Sequence, residues 1–168
     1  VYHTESERRL AQSIYDLPDS QIQTVLGEGV DGFEPGDGEA FKQKFGIDGP
    51  YILYAGRKSH EKNVWQLMTY WNEYILNGGR YDRLKLIFIG PGSIEIPPLM
   101  RANTLDLGYV SAADKQNAFA GASVFVQPSL NESFSLVLMD AWQAGKPVLV
   151  NGFSDVLVEH VRRSQGGL

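Results

Sequence analysis

The chain has 168 residues, a length that suits one compact domain with its own hydrophobic core and would crowd two. With 43% hydrophobic and 21% charged residues it has an ordinary globular composition, and no apolar run approaches the length needed to cross a bilayer. A formal net charge of −5 argues against a broad nucleic-acid-binding face and points to small partners, while the absence of cysteine removes disulfides, thiolate metal sites and cysteine nucleophiles and fits a reducing compartment.

The chain opens on Val1 with no signal-peptide pattern and closes on a loop-like Gly166-Gly167-Leu168 that reads as leading into a strand, so the sequence is expected to be a piece of a longer protein. Residues 5–16, opened by Thr4, read as a helix. QIQTVL (21–26) reads as a short strand reaching a turn region at Gly27, Gly29 and Gly32, and DGFEPGDGEA (31–40) as a linker.

From there β-rich runs alternate with helical stretches. The runs are YILYA (51–55), LKLIFI (84–89), TLDL (104–107), SVFVQ (123–127) and PVLV (147–150). The expected helices are 63–76, 112–122, 134–144 and 155–163, with a turn near IPPLM. Short, continuously apolar strands alternating with helices predict an α/β fold, a doubly wound and mainly parallel sheet with helices on both faces. In the helix from Asn63 to Leu76, Val64, Leu67, Met68, Trp71, Tyr74 and Ile75 recur at helical spacing, so this aromatic stripe is read as core packing and not as a ligand platform.

In such a sheet ligands bind at the carboxyl ends of the strands where the strand order reverses, between the first and fourth strands of the common arrangement. The loop after the first strand, AGRKSHEKN, gathers Arg57, Lys58, His60 and Lys62 in an otherwise acidic chain. The loop after the fourth, PSLNESFSLVLMD, offers Ser129, Asn131, Ser133 and Ser135 as capping groups before a helix whose first turn exposes unpaired N–H groups. Together they predict an anion site built from two sides; taken singly, each is also an ordinary solvated or capped loop. The three histidines, His3, His60 and His160, are too scattered to suggest a metal site.

Glu132 and Asp140 bracket seven uncharged residues. Glu132 sits just before a helix, where the helix dipole alone favours an acid. Asp140 lies in a run, Leu136 to Ala144, that is apolar on nearly every side and is expected to be mostly buried, so its carboxylate needs donors. A vicinal diol such as that of ribose would supply them, and so would a neighbouring backbone N–H or a basic side chain such as Lys146.

The segment ASVFVQPSLNESFSLVLMDAWQAGKPVLV resembles the C-terminal, donor-binding domain of retaining glycosyltransferases of the two-domain GT-B fold, in particular glycosyltransferase family 4. GEGVD (27–31), YAGRKSHEKN (54–63), IFIGPG (87–92) and LGYV (107–110) are similar to further family segments in the same order, and the resemblance covers roughly residues 20 to 165. It implies a Rossmann-like half of a GT-B fold, with residues 1–31 as a linker and lead-in from another domain, 32–168 as the donor-binding domain cut short at its C-terminus, and the acceptor domain absent.

By the same resemblance, Arg57 and Lys62 hold the donor diphosphate, with Gly90 at the turn after the second strand. Tyr109 and Val110 lie beside the nucleobase. The N–H groups around Ser133, Phe134, Ser135 and Leu136 meet the diphosphate and sugar, the catalytic Glu132 sits beside the donor sugar, and Asp140 binds the ribose. No metal or cofactor is implied, since no Asp-x-Asp motif is present. The partners expected are a nucleotide-sugar donor and an acceptor glycan, lipid or small molecule held mainly by the missing domain. Nucleic acid is not among them. The expected location is cytoplasmic, with peripheral membrane association left open for the longer protein. The alternative reading is a non-catalytic nucleotide or sugar-phosphate binding module of the same fold, carried by Asp140 where the family pattern has glutamate.

Overall fold

A computed structural model describes residues 1–18, 20–32, 34–79 and 83–168. Strands β1 (Tyr51–Ala55), β2 (Lys85–Ile89), β3 (Thr104–Asp106), β4 (Val124–Gln127) and β5 (Val148–Val150) form one sheet in the order β3-β2-β1-β4-β5, parallel throughout. The order reverses between β1 and β4, where Ile52 pairs with Val124 and Leu53 with Phe125. This is the doubly wound α/β fold that the alternation of apolar runs and helices predicts.

Side chains of the strands alternate between two cores, as the two-residue period requires. Tyr51, Leu53 and Ala55, with Ile87, Ile89 and Phe125, pack on one face beneath helices α2 (Gly38–Phe45), α4 (Ala112–Gly121), α5 (Leu136–Gln143) and α6 (Asp155–Ser164). Tyr54, Leu86, Phe88 and Val126 pack on the other against α3 (Val64–Leu76) and the 3-10 turn Pro98–Met100. The predicted stripe on α3 is core: Val64, Leu67, Met68 and Trp71 are buried, and Tyr74 and Ile75 pack at its border. On this second face β4 and β5 are covered only in part. A groove of about 620 Å³ runs there past Ile52, Leu130 and Leu149.

Helix α1 (Glu5–Ile14) is capped as predicted, Thr4 Oγ1 accepting from Glu7 N at 3.1 Å, and it is tied to α6 by Ser6, whose N and Oγ both donate to Glu159 Oε2. Two expectations are corrected. Residues 21–26 form no strand: among the described residues only Val25 makes a bridge, to Tyr2, and Ile22 and Leu26 are 92% and 74% exposed, so the run lacks the burial that a strand needs. Nor is 31–40 all linker, because Asp37 caps α2 by accepting from Glu39 N and Ala40 N; Phe33, within that stretch, lies outside the described residues. Helix α2 lies so close to α4 that a Cβ on Gly38 would stand 2.4 Å from Gly121 Cα, which only glycine permits. At the other end, Gly166–Leu168 runs parallel to β5, Leu168 N donating to Val148 O at 2.9 Å.

Candidate functional site

The loops after β1, β2 and β4 converge at the carboxyl ends of the strands around a cavity of about 550 Å³. Gly90, directly after β2, has φ +117°, and a Cβ there would sit 2.3 Å from the Gly56 carbonyl, so a glycine is what lets the first two loops touch. Lys58 locks that contact. Its side chain is fully buried, with Nζ 2.5 Å from Gly90 O, 3.3 Å from Gly92 O and 3.0 Å from Asp106 Oδ1, and Asp106 in turn accepts from the backbone N–H groups of Ile94 and Gly108. One lysine thereby joins the ends of β1, β2 and β3.

The loop after β4 is pinned from both sides by its Pro128 carbonyl, which accepts from Asn63 Nδ2 at 3.1 Å and Asn151 Nδ2 at 2.9 Å. It then carries Glu132 to the centre of the site. The Glu132 side chain is 8% exposed, and its Oε1 lies 2.7 Å from Lys62 Nζ and 2.8 Å from Gln127 Nε2, so a cation from the first loop and an amide from the end of β4 satisfy the same oxygen. Tyr54, beneath them, donates its hydroxyl to Arg57 O at 2.7 Å; burial first and then the Glu132 charge push its phenol far above the ordinary value, so it stays a neutral donor.

Helix α5 begins at Leu136, two residues later than expected, because Ser135 takes the left-handed conformation, φ 72°. Ser135 therefore does not cap the helix as predicted. Its Oγ accepts from Gln127 Nε2 at 3.2 Å, and the first turn of α5 is left without a side-chain cap. Free N–H groups and the positive end of the helix dipole consequently face the region shared with Lys62, an arrangement suited to an anion.

Of the residues singled out from the sequence, Lys62, Gly90, Tyr109, Val110, Glu132, Ser133, Phe134, Ser135 and Leu136 all line this cavity. Arg57 does not: its side chain is exposed and outside the lining. Asp140 lies one turn further along α5 and lines a neighbouring groove with Gly29–Gly32. Its environment corrects the expectation of burial: the side chain is 25% exposed, since α5 buries only Leu138 and Ala141. Its partner is Lys115 of α4, Nζ to Oδ2 2.5 Å, and not Lys146; Lys115 itself borders the main cavity. Among the described residues no group of three or more histidines, aspartates or glutamates is placed to hold a metal ion.

Residues 49–168 match the family described as glycosyl transferases group 1. The chain belongs to the group 1 glycosyl transferases. This group 1 glycosyl transferase chain is 29% identical to the D-inositol 3-phosphate glycosyltransferase of Acidothermus cellulolyticus across 100% of its own length and 41% of that relative's. It spans about two-fifths of the curated relatives it matches. Among solved structures it is similar to WaaG, a glycosyltransferase involved in lipopolysaccharide biosynthesis, with a TM-score of 0.74 and 20% identity over 99% of this chain and 47% of that one. It is also similar to the HepE protein of Anabaena in complex with UDP and glucose, with a TM-score of 0.66 and 19% identity over 81% and 40% of the two chains. At these identities the structures speak for the fold.

Two residues of this group 1 glycosyl transferase site, Gln127 and Lys115, escape a reading of the sequence, and Lys58, expected among the cations of the anion site, is instead a buried brace between loops. The available signals for the two were a glutamine ending an otherwise apolar strand and a lysine in an alanine-rich helix. Each takes its meaning from a partner on another element.

Proposed function

We propose that the chain is the C-terminal, donor-binding domain of a retaining GT-B glycosyltransferase of family 4, which moves a sugar from a nucleotide-diphosphate donor to an acceptor glycan, lipid or small molecule. Residues 32–168 are the donor domain in this reading, and residues 1–31 lead in from a second domain that holds most of the acceptor. The observation that carries it is the meeting of Lys62 and Glu132 across the β1–β4 junction, beside the uncapped start of α5. A diphosphate takes its charge balance from Lys62 and the α5 N–H groups, and these stabilise the departing nucleoside diphosphate as the glycosidic bond breaks. Glu132 is held against the donor sugar, and the exposed Tyr109 ring and Val110 at the cavity edge meet the base. The UDP and glucose bound by the HepE neighbour support such a ligand. No metal or cofactor enters the proposal. Among the described residues no helix is long and apolar enough to cross a membrane, and the proposed location is cytoplasmic.

Titration calorimetry with uridine, guanosine and adenosine diphosphates and their glucose conjugates tests this reading. At least one pair is expected to bind, and Lys62→Ala is expected to weaken it about 10- to 150-fold, the equivalent of one charge-assisted contact. No binding by the wild type, or unchanged affinity in the folded variant, refutes the site. Arg57→Ala tests the residue that the resemblance assigns to the diphosphate and the geometry leaves outside the cavity wall; unchanged affinity removes it.

A second reading, a non-catalytic binding module, is favoured by one observation: Asp140 is already paired with Lys115. Sugar transfer or donor hydrolysis by the full-length protein separates the two.

A further inference from the structure

Gln127 ends β4 on the same side of the sheet as Phe125, beneath α5, and is 2% exposed at the wall of the main cavity. Its Nε2 is 2.8 Å from Glu132 Oε1 and 3.2 Å from Ser135 Oγ. The orientation of the amide is fixed by chemistry: a carboxylate only accepts, so the nitrogen faces Glu132 and the carbonyl oxygen faces away. That oxygen, Gln127 Oε1, is buried and has no hydrogen-bond partner among the described residues. Buried acceptors are almost always satisfied, and leaving one open is costly, so an unmet acceptor on a residue that lines a ligand cavity points to a donor that the protein itself does not supply.

We propose that Gln127 is a ligand contact, its side-chain carbonyl accepting a hydrogen bond from a hydroxyl of the donor sugar while its amide nitrogen holds Glu132 in place. The inference rests on the proposed donor-binding function. A diphosphate is excluded as the partner of Oε1, because ionised phosphate oxygens are acceptors and would be repelled both by this carbonyl and by the Glu132 carboxylate beside it. Polyol hydroxyls donate, and a nucleotide sugar carries them on the ribose and on the transferred sugar. Oε1 belongs to the second set, since Gln127 sits with Glu132 and the start of α5, whereas Tyr109 and Val110 approach the cavity from the loop after β3.

The test compares wild type with Gln127→Met, which keeps the length and removes both hydrogen-bonding groups, in titrations against UDP and UDP-glucose and against GDP and GDP-glucose. For whichever pair binds, the glucose conjugate is expected to lose about three- to tenfold in affinity, one neutral hydrogen bond, while the diphosphate stays within about twofold. Equal losses for both ligands, or no loss for either, overturn the proposal. A wild type that binds neither of these pairs, nor ADP and ADP-glucose, refutes the donor-binding function itself and this inference with it, a result distinguishable from the other two. Should Gln127→Met fail to fold, the wild-type complex decides: a sugar hydroxyl oxygen within about 3.2 Å of Oε1 upholds the contact, and an Oε1 that meets only protein or water overturns it.

Discussion

Asp140 occupies a helix whose own side chains give it no donor, and the charge is met from α4 by Lys115. With the two side chains 25% and 43% exposed, the pair is worth at most about 1 kcal/mol, well short of a buried ion pair. Asp140→Asn is therefore expected to leave the urea midpoint nearly unchanged. Its effect belongs at the cavity, which Lys115 borders: Lys115→Met should weaken nucleoside diphosphate binding about three- to tenfold, and Asp140→Asn should change nothing further in that background, because Asp140 acts on the cavity through Lys115. Additive losses in a calorimetric cycle would show that the two act separately. The sequence announces that Asp140 needs company and stops there, since Lys146 lies close along the chain while Lys115 becomes its neighbour only once α4 and α5 pack side by side.

At the scale of elements, the loops after β1, β2 and β3 behave as one unit because of Lys58. Its fully buried ammonium satisfies two loop carbonyls and the Asp106 carboxylate at once. Lys58→Met strands Asp106 as an unpaired, largely buried charge and is expected to lower stability by about 3–5 kcal/mol, read from the urea midpoint; adding Asp106→Asn should recover most of that loss. Elements that bury a continuous apolar run, such as YILYA and KLIFI, are plain in the sequence because burial on both faces leaves only one composition open to them. The errors fall where burial is slight. Helix α2 buries only Phe41 fully, with Phe45 packed at the border of the core, and begins within a Gly, Pro and Asp cluster that reads as linker. The run 21–26 has strand-like residues, but among the described residues only the single bridge of Val25 to Tyr2 pairs them. The start of α5 is displaced by a serine in a backbone conformation that usually marks glycine, which no spacing rule anticipates.

For the molecule as a whole, stability should respond to pH through His160 of α6, set edge-on to the Phe134 ring at 5.0 Å. Burial lowers its pKa from the ordinary 6.5, outweighing a hydrogen bond with the Phe134 backbone and the nearby Glu159, which favour the charged form; Arg163 adds to the lowering. Below pH 6.5 the unfolded chain takes up a proton that the folded chain resists, so the stability present above that value is lost as the pH falls towards the folded-state pKa. Urea midpoints of wild type should decline over this window, and those of His160→Phe should decline less. Asp114 does not interfere there, since Lys44 at 2.8 Å, with help from Ser111, holds its carboxyl below the usual range.

The reversal of strand order also governs how the domain comes into being. Strands β1 and β2 can meet through a single helical crossover, and so can β4 and β5, but β1 must pair with β4 across the whole of the intervening chain. Closing so long a loop costs entropy before any contact repays it, which makes this the kinetically demanding step. Lys62 and Glu132 stand on opposite sides of that seam. Neither half-sheet alone brings them together, so a folding chain acquires its anion site only when the two halves zip, and ligand capture in a refolding experiment would time that event.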